Sequence, residues 1–281
     1  MSIVLGTNIS ALMVQNNLTS DTLSLNNILQ ELSTGHQING PADDSSGLTI
    51  ANNLQAQING ANQAASNAAN GNNLLGTVDS TLSNVQNDLQ SIRTLAVEAA
   101  NGDESTSNLS AIHSQIAGYV SAIKQMTKAT QFNGKNLMQS GTATMLIQVG
   151  ANNVSSTNTI NITSALGSAT ATGLGVIFSA NSLNTTSAAQ TFLSTVDSAL
   201  TAVGNRRATV GSYQNRLQDT ISNLQITAEN YQSSYSQIMD TNVASAAAAL
   251  AQYQILQETA ASVLTQANQT PALALELIRP V

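Results

Sequence analysis

The chain has 281 residues and a formal net charge of −7, with 8% charged, 3% aromatic and 42% hydrophobic residues and neither cysteine nor tryptophan. Soluble domains are typically about 25% charged; here Ala, Ser, Thr, Asn and Gln fill the gap. The composition leaves no disulfide or thiol chemistry, is too apolar for a disordered chain, and offers nucleic acid or an anionic membrane no basic stripe, because no Lys or Arg precedes Arg93 and none occurs in 136–205 or 217–278.

Uncharged polar groups cost less to desolvate than ions. Such a composition suits a protein that buries its surface against copies of itself, and equally an exported chain or a poorly soluble monomer. The first residues, "MSIVLGTNISALMVQNN", have no positive n-region, and Gly6, Thr7 and Asn8 break the apolar run, so no secretory signal peptide is expected. No run approaches about 18 apolar residues, so neither a transmembrane span nor membrane insertion is expected.

In chain order, residues 9–34 are predicted helical, with Leu18, Thr22, Leu25, Leu29 and Leu32 forming a heptad-like seam that stops near Gly35. "GHQINGPADDSSG" (35–47) is a breaker cluster around Pro41. A very long helical pattern then runs from about 45 to 100, weakened at Gly60 and Gly71. Its last part, "TLSNVQNDLQSIRTLAVEAANG" (81–102), keeps Leu82, Val85, Leu89, Ile92, Ala96 and Ala99 three and four apart. The opposite face is Asn, Gln, Ser and Thr, with only Asp88, Arg93 and Glu98 charged, and so poses the question of what it touches. After a turn at 101–108, Leu109, Ile112, Ile116, Tyr119, Ile123 and Met126 mark a third helix, antiparallel to the second.

Residues 130–187 differ in kind. "MLIQVG" (145–150) and "TINIT" (159–163) predict a β-hairpin, and the remainder reads as Gly/Ser/Thr/Asn loop. A second very long helix is predicted over about 188–238, its apolar alternation broken by Arg207 and Gln214. A last helix is predicted over about 243–267, ended by Pro271. The fold class is mainly α: a long antiparallel helical bundle or coiled coil with a small β-hairpin, and with the N- and C-terminal helices paired.

Catalytic chemistry finds little support. His36 sits in a loop and His113 on the third helix, expected exposed, too far apart in sequence for an HExxH site. Asp43 and Asp44 read first as capping and dipole partners of the helix they open, an intersubunit contact being part of that role. Arg206 and Arg207, the one basic pair, either meet acidic groups across an interface, such as the Asp43–Asp44 region, or lie on a solvated face. There is no phosphate-binding loop, nucleophile elbow or Cys/His cluster. No enzyme activity, metal or cofactor is expected.

Several motifs, in order, resemble bacterial flagellins. "QINGPADDSSGLTIANNLQAQINGANQAASNAANGNNLLGTVDSTLSNVQNDLQSIRTLAVEAANG" (37–102) is similar to the family's N-terminal signature. "TQFNGKNL" (130–137), "IQVGANN" (147–153), "VGSYQNRL" (210–217) and "SVLTQANQTPALALELI" (262–278) resemble its further motifs. The resemblance implies a filament subunit that polymerises for motility. Residues 1–44 and 235–281 would form an inner-tube domain, and 45–234 a helical-bundle domain with the hairpin. The short middle implies that variable outer domains are absent. Asp43, Asp44, Arg93, Leu95, Arg207, Gln214, Asn215, Arg216, Leu250, Leu256, Val263 and Leu264 are the expected assembly residues.

Implied partners are further copies of the chain, a flagellar export chaperone, the filament cap and hook-junction proteins. Type III export to an extracellular filament is implied. Three departures stand out. Gln37 occupies a position commonly basic in the family. In the region recognised by the innate-immune flagellin receptor, Ser91 and Gln115 stand where an Arg and a Glu are frequent, while Leu95 is retained. Weak receptor binding is therefore expected. The alternatives are a hook–filament junction protein, which shares such terminal helices, and a surface adhesin, for which the middle segment leaves little room.

Overall fold

The computed structural model describes residues 7–139, 144–153, 155–179 and 182–278. Helices α1 (Ile9–Thr34), α2 (Ser45–Ala99), α3 (Thr106–Ala129), the single turn α4 (Ser155–Asn158), α5 (Thr186–Met239) and α6 (Val243–Ile278) follow in order. Between α3 and α5 lie β1 (Gln131–Phe132), β2 (Lys135–Asn136), β3 (Leu146–Gln148) and β4 (Thr159–Asn161). Contacts divide the chain into two compact units, residues 1–56 with 230–281, and residues 57–229.

In the second unit the long seam of α2 is more regular than its sequence suggests. Ala61, Ala64, Ala68, Gly71, Leu75, Val78, Leu82, Val85, Leu89, Ile92, Ala96 and Ala99 alternate three and four apart, and all are buried. This is the coiled-coil period, with small residues at one end and large ones at the other. Ile112, Ile116 and Ile123 of α3 and Phe192, Val196, Ala199, Val203, Val210 and Leu217 of α5 complete the same core.

The expected hairpin forms between β3 and β4, with Ile147 opposite Ile160. It lies on α2 because two glycines make room. A Cβ on Gly60 would meet the Ala151 methyl, and one on Gly71 would stand 3.2 Å from Ile147. Asn67 Nδ2 donates to the Gln148 carbonyl at 3.2 Å, and Gln57 Nε2 to Asn152 Oδ1 at 3.1 Å, fixing the docked strand. Gly60 and Gly71, which weaken the helix by propensity, are thus where the sheet sits.

Three expectations need correction. "TQFNGKNL" contains a second hairpin, β1 with β2, turned by Asn133 and Gly134, both at positive φ. That is the two-residue Asn-Gly turn whose twist matches antiparallel strands. The segment read as loop contributes core residues, since Ala165, Leu166, Ala169, Ala171, Leu174, Val176 and Leu183 are buried. Finally, α6 does not end at Pro271 but runs on to Ile278. A proline removes one helical hydrogen bond, while the Ala and Leu that follow are strong helix formers.

In the first unit α1 packs along α6, antiparallel to it. Asn8 Nδ2 donates to the Ala267 carbonyl at 2.8 Å, and Gln257 Nε2 to Thr22 Oγ1 at 2.9 Å. Asn8 also caps α1 through the Ala11 amide, and Gly35, left-handed at φ 75°, closes it. The turn after α1 is laced to the turn after α5. Gln37 N donates to Met239 O at 2.7 Å and Thr241 N to Gly35 O at 2.8 Å. Ile38, Ala51 and Met239 form a small core beneath them.

Candidate assembly site

No residue of α1 is buried, although it lies against α6. Leu12, Met13 and Leu23 on α1 and Ile255 on α6 keep more than half of their surface in water. Among the expected assembly residues of α6, Leu250 and Leu264 are half-buried, while Leu256 and Val263 are exposed at 38% and 49%. Apolar side chains therefore flank the α1–α6 contact on both helices. Ile9, Leu12, Met13 and Leu23 were not singled out by the sequence reading; the signal was that they fall outside the Leu18–Leu25–Leu32 seam and yet are apolar.

Asp44 caps α2 as expected, whereas Asp43 closes the turn before it. Asp43 Oδ2 accepts from the Asn39 and Gly40 amides, both at 2.9 Å, and Asp44 Oδ1 from Ser46 and Gly47 at 2.9 Å. Two orphan donors at the start of α2 are thereby satisfied. Gln37 Nε2 donates to the Ile238 carbonyl at 2.7 Å, so an uncharged amide satisfies a helix-end acceptor here. His36 lies in the same turn, with Nδ1 3.2 Å from Asp240 Oδ1.

Three arginines of the bundle find partners inside the chain. Arg207 Nε donates to Asp79 Oδ1 at 2.9 Å, and its Nη1 to Gln86 Oε1 at 3.0 Å. The bond to Asp79 raises the Arg207 pKa. Arg206 donates to the Gly167 and Ser168 carbonyls at 3.2 and 2.8 Å, and its burial lowers its pKa. Both members of the basic pair are thus bonded within their own chain, with Arg207 partly exposed. Arg93 bonds Asp197 at 2.6 Å, on an exposed face. Gln214 is half-buried beside Gly76, and Asn215 and Arg216 are exposed. Asp79, Gln86 and Asp197 were missed in the sequence, although Asp79, Gln86 and Arg93 stand seven apart.

The weakly charged face of 81–102 is open. Asn84, Asn87, Gln90, Thr94, Val97 and Glu98 are exposed while the seam opposite them is buried. Leu95 is half-buried against the core, Ser91 Oγ donates to its own helix at the Asn87 carbonyl, and Gln115 is exposed. Asp88 is half-buried, with Oδ2 sealed from water and without a donor, and this burial raises its pKa. His113, expected exposed, is half-buried; its ring stacks on Phe178 at 4.4 Å, and Nε2 lies 3.2 Å from the Ser179 carbonyl. Among the described residues no group of three or more His, Cys, Asp or Glu could hold a metal ion.

Residues 5–144 match the bacterial flagellin N-terminal helical region, and residues 193–278 the bacterial flagellin C-terminal helical region. The chain belongs to the bacterial flagellin family. Flagellin FlaB1 of Treponema pallidum is 31% identical over 290 residues, spanning 98% of this chain and 100% of that one. A flagellin of Halalkalibacterium halodurans is 33% identical over 251 residues, covering 89% and 90% of the two chains. That of Bacillus subtilis is 32% identical over 300 residues, covering 97% and 98%. The chain spans 90–100% of the length of these relatives. Its fold is similar to the crystal structure of Bacillus cereus flagellin, with TM-score 0.50 and 24% identity over 57% of this chain and 88% of that one. It is also similar to a flagellar hook-associated protein from Vibrio parahaemolyticus, with TM-score 0.59 and 16% identity over 70% and 100%.

Proposed function

We propose that this flagellin is the structural subunit of a bacterial flagellar filament, built by polymerisation of identical chains and turned for motility. The observation that carries the reading is α1, a helix packed along α6 with no buried residue and with apolar side chains left in water on both helices. Isolated helices without tertiary partners are marginal, so a second copy of the chain completes the pair. Contacts between unlike surfaces that do not close into a ring generate an open helix. The terminal unit is assigned to the inner tube and the bundle with its hairpin to the surrounding one, without further outer domains. The Asn/Gln/Ser face of 81–102 is assigned to contacts between subunits. Asp43, Asp44, Arg93, Leu95, Arg207, Gln214, Asn215, Arg216, Leu250, Leu256, Val263 and Leu264 remain the assembly residues, with Arg93 and Arg207 acting through their own-chain pairs.

The role is structural rather than enzymatic. The proposal extends to export unfolded through the growing tube, with a chaperone, a cap and hook-junction proteins as partners, and to a place in the extracellular filament, a reading supported by likeness to the family. Charged hydrogen bonds are worth about 1.5–3 kcal/mol, so Ser91 and Gln115 make for weak activation of the innate-immune flagellin receptor. A full reporter response at ordinary flagellin doses contradicts that. The likeness in fold to a hook-associated protein favours the junction role as the second reading, against which stand relatives at 31–33% identity that are flagellins.

Negative-stain microscopy of the seeded full chain, beside a truncation lacking residues 240–281, tests the proposal. Long tubes from the full chain and none from the truncation are expected. No tubes from either would shift the assignment to the junction protein.

A further inference from the structure

The buried seams assign heptad positions to both long helices of the bundle. On α2 the seam pairs Leu75 with Val78, Leu82 with Val85 and Leu89 with Ile92, each three apart. The residue after each second member is a flanking position, and with Asn72, which follows the Ala68–Gly71 pair, these are Asn72, Asp79, Gln86 and Arg93, seven apart. On α5 the alternation through Val196, Ala199, Val203, Val210 and Leu217 places Arg206 and Tyr213 in the seam itself. Both are served by the 163–170 segment, since Arg206 donates to the Gly167 and Ser168 carbonyls and Tyr213 Oη lies 2.8 Å from Ser164 Oγ. The flanking residues of α5 are therefore Arg207 and Gln214, again seven apart. What looks in the sequence like a break in the seam is its neighbouring column.

In an antiparallel pair the like flanking columns face each other, and charges there set partner and orientation. The contacts follow that geometry. Arg207 spans two successive α2 positions, Asp79 and Gln86, while Arg93 pairs with Asp197, which follows the seam residue Val196 and lies outside the Arg207–Gln214 column. One heptad the other way, Gln214 lies against Gly76, and Asn72 holds a buried Oδ1 without a donor. The spacing of the apolar seam repeats every seven residues, so alignments one heptad apart keep its stripe in contact, while its grading from small residues at Ala61, Ala64, Ala68 and Gly71 to large ones beyond sets them apart in packing. The polar column is not periodic in charge, since it reads amide, acid, amide, base along α2. A slip of one heptad would set Arg207 beside Asn72 and Asp79, or beside Gln86 and Arg93, the latter against a like charge.

We propose that the column Asn72–Asp79–Gln86–Arg93, read by Arg207 of α5, is the register key of the α2–α5 pair. It favours one antiparallel alignment over those one heptad away, adding charge to the preference set by the size grading of the seam. This does not rest on the filament role.

The absence of cysteine allows spin labels at N87C and T201C, both exposed. The unaltered column is expected to give one narrow interlabel distance. D79R and R207D, each placing like charges opposite, are expected to broaden it or to add a second, longer-distance population from helices slid by one heptad, about 10 Å along the axis at about 1.5 Å per residue. The exchange D79R/R207D is expected to restore the single distance. Should a reversal fail to fold, D79N/R207Q removes the pair without repulsion and is expected to broaden the distribution as well. One unshifted distance in the reversals and in the neutral pair, whatever their melting temperatures, overturns the proposal, as does an exchange variant that stays broad. A merely stabilising ion pair would lower the melting temperature and leave the distance untouched.

Discussion

Helices α1 and α2 carry the same kind of pattern and meet opposite fates. The α2 seam is buried along its length, Leu82, Val85, Leu89, Ile92 and Ala96 being fully so, whereas α1 has no buried residue at all. The difference is not in hydrophobicity but in neighbours. The α2 seam is covered by α3, by α5 and by the 137–183 segment, all in one core. Among the described residues α1 packs along α6. Two helices expose most of each other's circumference, so the terminal pair is an unfinished core and the bundle a finished one.

This contrast is broken or sharpened most strongly by paired truncations. Leu89→Ala should cost about 2–5 kcal/mol in denaturant unfolding of the monomer, since it opens a cavity in a closed core. Leu256→Ala, at a site 38% exposed, should cost less than about 1 kcal/mol in the same monomer, most of the exposed surface having little to lose. In assembled filaments the order should narrow, with Leu256→Ala lowering filament melting markedly. Equal costs in the monomer would mean that the terminal pair is already a closed core.

The next largest effect falls on the hairpin. Gly60→Ala drives a methyl into Ala151 and should cost about 1–3 kcal/mol through overpacking, against a gain of up to about 1 kcal/mol in helix propensity. Amide exchange at 146–148 and 159–161 should quicken while the α3 seam is unchanged. Removal of the cap by Asp44→Ala, which strands the Ser46 and Gly47 amides, should cost about 1 kcal/mol. It should fray the start of α2, visible as faster exchange there.

The smallest effect is a pH dependence. Burial raises the Asp88 pKa above its ordinary value, so the ionised form opposes folding at neutral pH. That penalty disappears as pH falls through the raised value toward that of the unfolded chain. Asp88→Asn should therefore be slightly the more stable protein at neutral pH, by well under about 1 kcal/mol after solvent screening. The advantage should vanish in acid; an advantage that persists there would assign the gain to something other than charge.

Much of the fold was legible because helices of this length repeat their signal many times. The sequence-based limits 9–34, 45–100 and 188–238 fall within a few residues of α1, α2 and α5. The hairpin was visible from its β-branched runs. What stayed hidden has no period. Ala165, Leu166, Ala169, Ala171, Leu174 and Val176 enter the core from an irregular chain rich in Gly, Ser and Thr, and composition alone reads that as loop. The register of α5 was legible only with structure, because Arg206 and Tyr213 occupy seam positions where an apolar residue is expected, which made Arg207 and Gln214 look like the interruption. Partners such as Asp79 and Asp197, more than a hundred residues away in sequence, cannot be matched to Arg207 and Arg93 before the helices are aligned.

Hydrogen exchange on monomer and on filament, segment by segment, tests the central claim most directly. The account predicts that amides of α1 and α6 exchange quickly in the monomer and slow by orders of magnitude in the filament, while the buried seam of α2 is already protected in both. Equal protection of α1 and α6 in the two states would contradict it, because the terminal pair would then need no second copy to complete its core.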